Sequence, residues 1–229
     1  MIVGILQPSY LPWLGFFEQI YQSDVFVFYD DVQFEKGSWR NRNRIKTPQG
    51  KQWLTVPVIK SKQGFQIIKD VRINNSIPWQ KKHIKSITQN YSKGIYFNDY
   101  ADELFGIIDK DFDFLLDLNL ELIDRLCKIL SIQTKTVLSS ELNIKGDRMD
   151  RLISIIRHFK GDIFYEGSAG KDYIDLSEFD QSGIETRFQD YNHPIYKQLY
   201  GEFISHLSVI DLLFNHGQNS LNIITGSKN

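Results

Sequence analysis

A chain of 229 residues with 41% hydrophobic and 24% charged side chains can bury a sizeable core and is too apolar to be a disordered tail. Its formal net charge of -1 supplies no global field for nucleic acid or an anionic membrane, so any basic site has to be local. A single cysteine, Cys127, excludes an internal disulfide, and no run approaches the roughly 20 apolar residues that span a bilayer. With no basic-then-apolar leader at the amino terminus, the expectation is a cytoplasmic protein without a membrane or nucleic-acid partner.

In chain order, Ile2 to Leu6 reads as a short buried strand that Gln7-Pro8 brings to an end. Trp13 to Gln22 carries apolar residues at helical spacing, and Asp24 to Tyr29 reads as a strand buried on both faces. Thr47-Pro48-Gln49-Gly50 is a turn, so the segment from Asn43 to Ile59 is expected as a projecting hairpin, with Pro57 restricting its second strand to an edge. Phe65 to Ile73 suggests a further short strand. Helices follow at Trp79 to Tyr91, Asn98 to Phe105 and Phe112 to Leu130, the last with Leu115, Leu118, Leu122, Leu126 and Ile129 on one stripe. Thr134 to Leu138 is a strand and Arg148 to Phe159 a helix that Gly161 stops. Ile163 to Tyr165 and Ile184 to Phe188 are late strands, Ser208 to Phe214 is a closing helix, and the tail after Asn219 has little to anchor it.

Alternating strand and helix signals at both ends predict an α/β fold, a Rossmann-like and mainly parallel sheet with helices on both faces. The expected organisation is a single domain over residues 1–229, with a projecting hairpin and a helical insertion, or cap, around residues 99–130. In such a sheet, ligands gather at the carboxyl ends of the strands.

Three arginines within five residues, Arg40, Arg42 and Arg44, interleave with Asn41 and Asn43 just after the acidic pair Asp30-Asp31. Guanidinium forks hold phosphate or carboxylate oxygens in pairs, and asparagines add neutral donors. The carboxylates could hold magnesium, accept an ammonium group or orient the arginines. The first loop offers Gln7, Tyr10 and Trp13, but no G-x-G-x-x-G and no Walker loop. Gly167, Ser168, Lys171 and Asp172 form a glycine-containing loop after a strand, a place where backbone amides and a lysine can meet an anion. His193 offers a titrating imidazole with Tyr196 close by in sequence, while Lys82 and His83 lie on a basic helix face beside Trp79. Asn215 sits near the closing helix. The five histidines lack zinc-type spacing, so no protein-only metal site is expected, and G-x-S-x-G does not occur.

Several blocks, in order, resemble the WbqC-like proteins nearly end to end. They are Gln7-Pro8-Ser9-Tyr10-Leu11-Pro12-Trp13-Leu14-Gly15-Phe16, Asp30-Asp31-Val32-Gln33-Phe34, Trp39-Arg40-Asn41-Arg42-Asn43-Arg44-Ile45, Trp79-Gln80-Lys81-Lys82-His83, Gly170-Lys171-Asp172-Tyr173, His193-Pro194-Ile195-Tyr196 and Leu207 to Asn215. One departure is Leu6, where similar proteins often have His. The resemblance implies a place in bacterial surface-polysaccharide biosynthesis, notably of O-antigen. It suggests N-acylation or aminoacylation, such as glycyl amide formation, of a nucleotide-linked amino sugar by a small acyl or amino-acid donor, with ATP and Mg2+ as possible cofactors. In that expectation His193 is the base, Asp30 holds magnesium or the ammonium, and Arg42 stabilises developing charge. The alternative is a non-catalytic sugar-nucleotide-binding or scaffold module. The sugar, the donor and the oligomeric state stay open at this point.

Overall fold

The computed structural model describes residues 1–59, 61, 64–146 and 148–226. The chain divides into two compact units. The first comprises Met1–Pro8, Gly15–Val32 and Ile132–Asn192; the second comprises Ser9–Leu14, Gln33–Ser131 and His193–Asn229.

The first unit is built on a five-stranded parallel sheet of β1 (Ile2–Leu6), β2 (Val25–Phe28), β5 (Lys135–Leu138), β6 (Ile163–Glu166) and β7 (Glu185–Phe188), in the order β5-β2-β1-β6-β7. Register is fixed by pairs such as Val3 with Val25 and Val3 with Phe164. Both faces of the central strands are covered, which is why β2 reads Val-Phe-Val-Phe without a polar residue and is buried throughout. On one face Phe26 packs edge-on against Phe16 of helix α1 (Leu14–Gln22). On the other, Val3, Ile5, Val25 and Val27 meet Leu152, Ile153, Ile155 and Ile156 of α5 (Arg148–His158) and Phe179 of α6 (Leu176–Gln181). The α/β expectation is therefore met by a parallel sheet with helices on both sides. Chain order reverses between β1 and β6, so the switch point of the sheet lies after Leu6 and Glu166.

The second unit holds the hairpin β3 (Arg42–Thr47) and β4 (Gly50–Thr55), which forms its own two-stranded sheet, with Gly50 at φ 108 closing the turn. Helices α2 (Trp79–Tyr91), α3 (Phe97–Ile108), α4 (Leu115–Ile129), α7 (Val209–His216) and α8 (Ser220–Thr225) complete it. Phe214 packs against Tyr91 and Phe97, and Leu118, Leu122 and Leu126 are fully buried, the stripe read from the sequence.

Three local readings change. Phe65 to Ile73 is no strand: Ile68–Asp70 winds into a 3-10 turn, and on either side single bridges join Gln33 with Ile67 and Val58 with Ile73. Past Asn219 the segment Ser220–Thr225 is anchored, because Ser220 and Ile224 of α8 are buried. At the end of α5 the left-handed residue is Lys160, φ 57. Gly161 is needed for a different reason: a Cβ there would lie 2.7 Å from Val3 Cγ2. Helix α6 went unread. Its apolar residues are few and its first signal is Asp175, which caps Ser177 at 2.9 Å.

Candidate functional site

Strand alternation places Arg42 and Arg44 on one face of β3, and the register sets Trp53 of β4 directly opposite Arg44. The Arg42 guanidinium carbon lies 4.2 Å above the Trp53 ring. That of Arg44 lies 5.0 Å from Trp39 and 5.4 Å from Trp53, and the two indoles are 5.3 Å apart. Both tryptophans are about two-fifths exposed, at 40% and 42%. A guanidinium placed over an indole face gains a cation–π attraction and keeps N–H donors for oxygen acceptors. Among the described residues neither Arg42 nor Arg44 has a carboxylate partner, and Nε of each is buried with no hydrogen bond. Burial lowers the pKa of Arg44. A buried, unmatched donor on a cation is costly to keep, and as neither Nε is open to solvent, a ligand meets these cations through their Nη groups. Arg40 joins the same unit differently. Its guanidinium donates to Ser9 Oγ at 2.6 Å, and its carbonyl accepts from Asn119 Nδ2 of α4 at 2.9 Å.

The loop that carries Ser9 and Trp13 is clamped from below. Asn43, on the buried face of β3, donates to the carbonyls of Leu11 at 2.6 Å and Tyr10 at 3.4 Å. Leu11 is held at φ 42, a conformation that a side-chain-bearing residue keeps only when its surroundings impose it. The clamp presents Trp13 as a shelf: His206 stacks on it at 5.1 Å and His193 at 6.3 Å. Arg44 donates to the His206 carbonyl at 3.1 Å, which ties the shelf to the arginine pair. His193 Nε2 accepts the His206 backbone N–H at 3.1 Å, and Nδ1 lies 2.9 Å from the Pro194 carbonyl, so it carries the proton. Burial first, then His206, lowers the pKa of His193, and its hydrogen bond to Pro194 opposes the shift. With both nitrogens engaged in this arrangement, His193 has no lone pair ready for a substrate proton, so the role of base read from the sequence is not what this geometry presents.

Other residues read as ligand groups serve the interior of this unit. Tyr10 is fully buried and lies 2.9 Å from His83 Nδ1; His83 is itself buried, and burial takes its pKa down to about 4, so the imidazole stays neutral. Asn41 spends both ends of its amide, accepting from Gly37 N and donating to the Val56 carbonyl. Tyr196 donates to Asp211 at 2.9 Å, within a buried cluster where Tyr91 and Gln198 also donate to that carboxylate. Burial raises Asp211, and these three donors together with Lys46 offset only part of that. Asn215 donates to the Asp211 carbonyl one helical turn back. Lys82 is exposed and lines a groove of about 330 Å³ with Trp79, His83, Gln52 and Trp53.

In the first unit the acidic pair is occupied. Asp30, fully buried, accepts from Ser140 N at 3.0 Å and Ser140 Oγ at 2.7 Å, and lies 2.9 Å from Ser139 Oγ. Asp31 accepts from Ser139 Oγ at 2.6 Å and pairs with Arg151. Burial pushes Asp31 up, but the hydrogen bonds from Arg151 and Ser139 and the charge of Arg151 bring it below the usual carboxylate range. Oxygens already held this way do not fit a magnesium ion, which needs open carboxylates beside substrate phosphates. Among the described residues no three His, Cys, Asp or Glu side chains cluster as metal ligands.

Gln7 follows β1 and is half-buried, and Gly167 follows β6, both at the switch point. Ser168, Lys171 and Asp172 are exposed on a 3-10 turn, where Lys171 Nζ lies 5.8 Å from the Phe188 ring. Gly170 answers to packing rather than to an anion, since a Cβ there would sit 2.4 Å from Glu166 Cγ. Glu166 was not singled out in the sequence. It is buried at the end of β6, accepts from Tyr173 Oη at 3.2 Å, and desolvation raises it to about 7 against weaker opposing hydrogen bonds from Gly167 and Tyr173. A strand-end carboxyl poised near neutrality is suited to proton transfer. His206 also went unread, because neither residue stands in a charge run or a spaced motif.

No helix among the described residues is long and apolar enough to cross a membrane. No solved structure matches the chain. The chain is 36% identical over 217 residues to the uncharacterized protein Rv1507c of Mycobacterium tuberculosis (strain ATCC 25618 / H37Rv), covering 94% of each. The model of the WbqC-like protein family matches residues 7–223, a span that contains Arg40 to Arg44, Trp53, Glu166 and His206. The chain belongs to the WbqC-like protein family.

Proposed function

We propose that this protein is an enzyme of bacterial surface-polysaccharide (O-antigen) biosynthesis that binds a nucleotide-linked amino sugar and joins an acyl or aminoacyl group to the sugar amine. Family membership supports a biosynthetic role in polysaccharide production; the reaction and substrates are the proposal. One observation carries the binding half. Arg42 and Arg44 lie over the rings of Trp39 and Trp53 with no carboxylate paired to them among the described residues. Diphosphate oxygens pair with the guanidinium Nη groups, since the buried Nε donors are out of a ligand's reach, and the exposed indoles and the Trp13 shelf offer stacking surface for a base or a sugar ring. Arg40, with its backbone held by Asn119, adds a third cation.

Amide formation needs an activated carboxyl group and a neutral amine. ATP could activate the carboxyl, but Asp30 and Asp31 do not fit the magnesium that would accompany it, so no step is assigned through that pair. An acyl donor that arrives already activated is the simpler requirement. A second reading, a non-catalytic module that binds a sugar nucleotide, is favoured by the engagement of both His193 nitrogens.

The discriminating experiment incubates the purified protein with amino-sugar nucleotides and activated acyl or aminoacyl donors, and separately with free acids, ATP and magnesium. Products are followed by mass spectrometry. A mass gain equal to the acyl group on the sugar nucleotide supports the enzyme. Binding without a mass gain for any donor supports the module, and absence of binding defeats both.

A further inference from the structure

We infer that His206 is a further ligand-contacting residue of the arginine face and takes up a proton when a phosphate-type anion binds there. The inference rests on reading that face as a phosphate site. His206 is exposed and sits at φ 58, a left-handed backbone that residues with side chains seldom hold unaided. Three contacts hold it there. Its N–H goes to His193 Nε2, its carbonyl accepts from Arg44, and its ring lies on Trp13 with an interplanar angle of 20°. Nδ1 is 2.9 Å from Ser205 Oγ, and Nε2 meets no hydrogen-bond partner among the described residues. A chain that spends backbone strain on an exposed imidazole, in a residue whose carbonyl accepts from Arg44, is presenting that imidazole.

The surrounding charges determine its protonation. Arg44 comes from β3, Lys51 from β4, and His193 from the segment before His206; Trp13 and Ser205 carry no charge. His193 cannot gain a proton at Nε2 without giving up the His206 N–H. Partial burial first, then the positive charges of Arg44 and Lys51, lower the pKa of His206 in the free protein. An anion beside Arg44 reverses the sign of the local field, so the pKa rises in the complex. The imidazolium can then donate from Nε2 to a phosphoryl oxygen as a charge-assisted bond. Between the two pKa values binding takes up a proton, and affinity rises as pH falls through that window, by at most about tenfold per pH unit. Below the lower value the ring is charged before the anion arrives and the linkage ends.

The test titrates inorganic pyrophosphate into the wild type and His206→Asn by calorimetry, near neutrality and in two buffers of different ionisation enthalpy. Asparagine tolerates the left-handed backbone, so the fold is preserved; if the variant melts lower, His206→Gly repeats the comparison without backbone cost. The anion's own proton balance is common to both proteins, so the difference belongs to residue 206. The expected result is greater proton uptake by the wild type and severalfold weaker binding by the variant. Equal proton uptake with equal affinity overturns the inference and leaves the phosphate site standing. Failure of the wild type to bind pyrophosphate at low ionic strength overturns the phosphate reading itself, and this inference with it.

Discussion

In the first unit, Asp30 and Asp31 meet Ser139, Ser140 and Arg151, and each carboxylate oxygen has a donor. In the second unit, Arg42 and Arg44 lie on tryptophan rings with no carboxylate paired to them among the described residues. The two clusters look alike in sequence, as neighbouring charges after a strand signal. Their physics differs. A buried charge satisfied by its own chain contributes to the fold and loses much when a partner is removed, whereas a cation whose partners are missing contributes little to folding and is available to a ligand.

That contrast sets the order of expected effects. Asp30→Ala leaves the Ser140 N–H and hydroxyl without their acceptor in a buried place and is expected to cost about 3 kcal/mol, read as a lower midpoint in urea. An unchanged midpoint would mean that this acid is not structural, and the comparison would break. Glu166 tests the same idea in reverse, since its carboxyl is raised from 4.5 to about 7. A raised carboxyl costs nothing below its unfolded value, and the cost grows as pH rises through the folded value. Between pH 4.5 and 7 the protein therefore loses up to about 3 kcal/mol, and Glu166→Gln should be more stable than the wild type at pH 8 but not at pH 4. Thermal melts at the two pH values check the sign. Gly170→Ala forces a methyl into Glu166 and is expected to cost about 2 kcal/mol, whereas Gly167→Ala, with nothing within 4 Å of its Cβ, should cost well under 1 kcal/mol. Arg42→Ala gives up a cation–π contact worth about 0.5–1 kcal/mol and should barely move the melting temperature.

Much of the fold was legible because the signals are periodic. The unbroken Val-Phe-Val-Phe of β2 announces a strand covered on both faces, and the leucine stripe of α4 announces a buried helix face. The 3-10 turn at Ile68–Asp70 and helix α8 were not legible, since each depends on contacts made by a few residues and shows no repeat. The arginines were legible as a cluster, and alternation along β3 gives Arg42 and Arg44 a shared face. That the face also holds Trp39 is a fact of three dimensions. Tyr10 and Asn41 looked like ligand groups because polar residues in a dense motif invite that reading, yet their polar atoms are engaged inside the second unit. Glu166 and His206 are single residues whose significance comes from burial in one case and backbone conformation in the other, and neither leaves a mark in sequence spacing.

The most direct test of the central claim compares the wild type with the double variant Arg42→Ala, Arg44→Ala for binding of inorganic pyrophosphate and of an amino-sugar nucleotide, alongside the melting temperature of each protein. The account predicts a double variant that stays folded with a modestly lower melting temperature, because the Arg44 bond to the His206 carbonyl is lost, wild-type affinity that weakens with salt, and a loss of at least about a hundredfold in the double variant, as two charge-assisted contacts would imply. Undiminished binding by a folded double variant would contradict it.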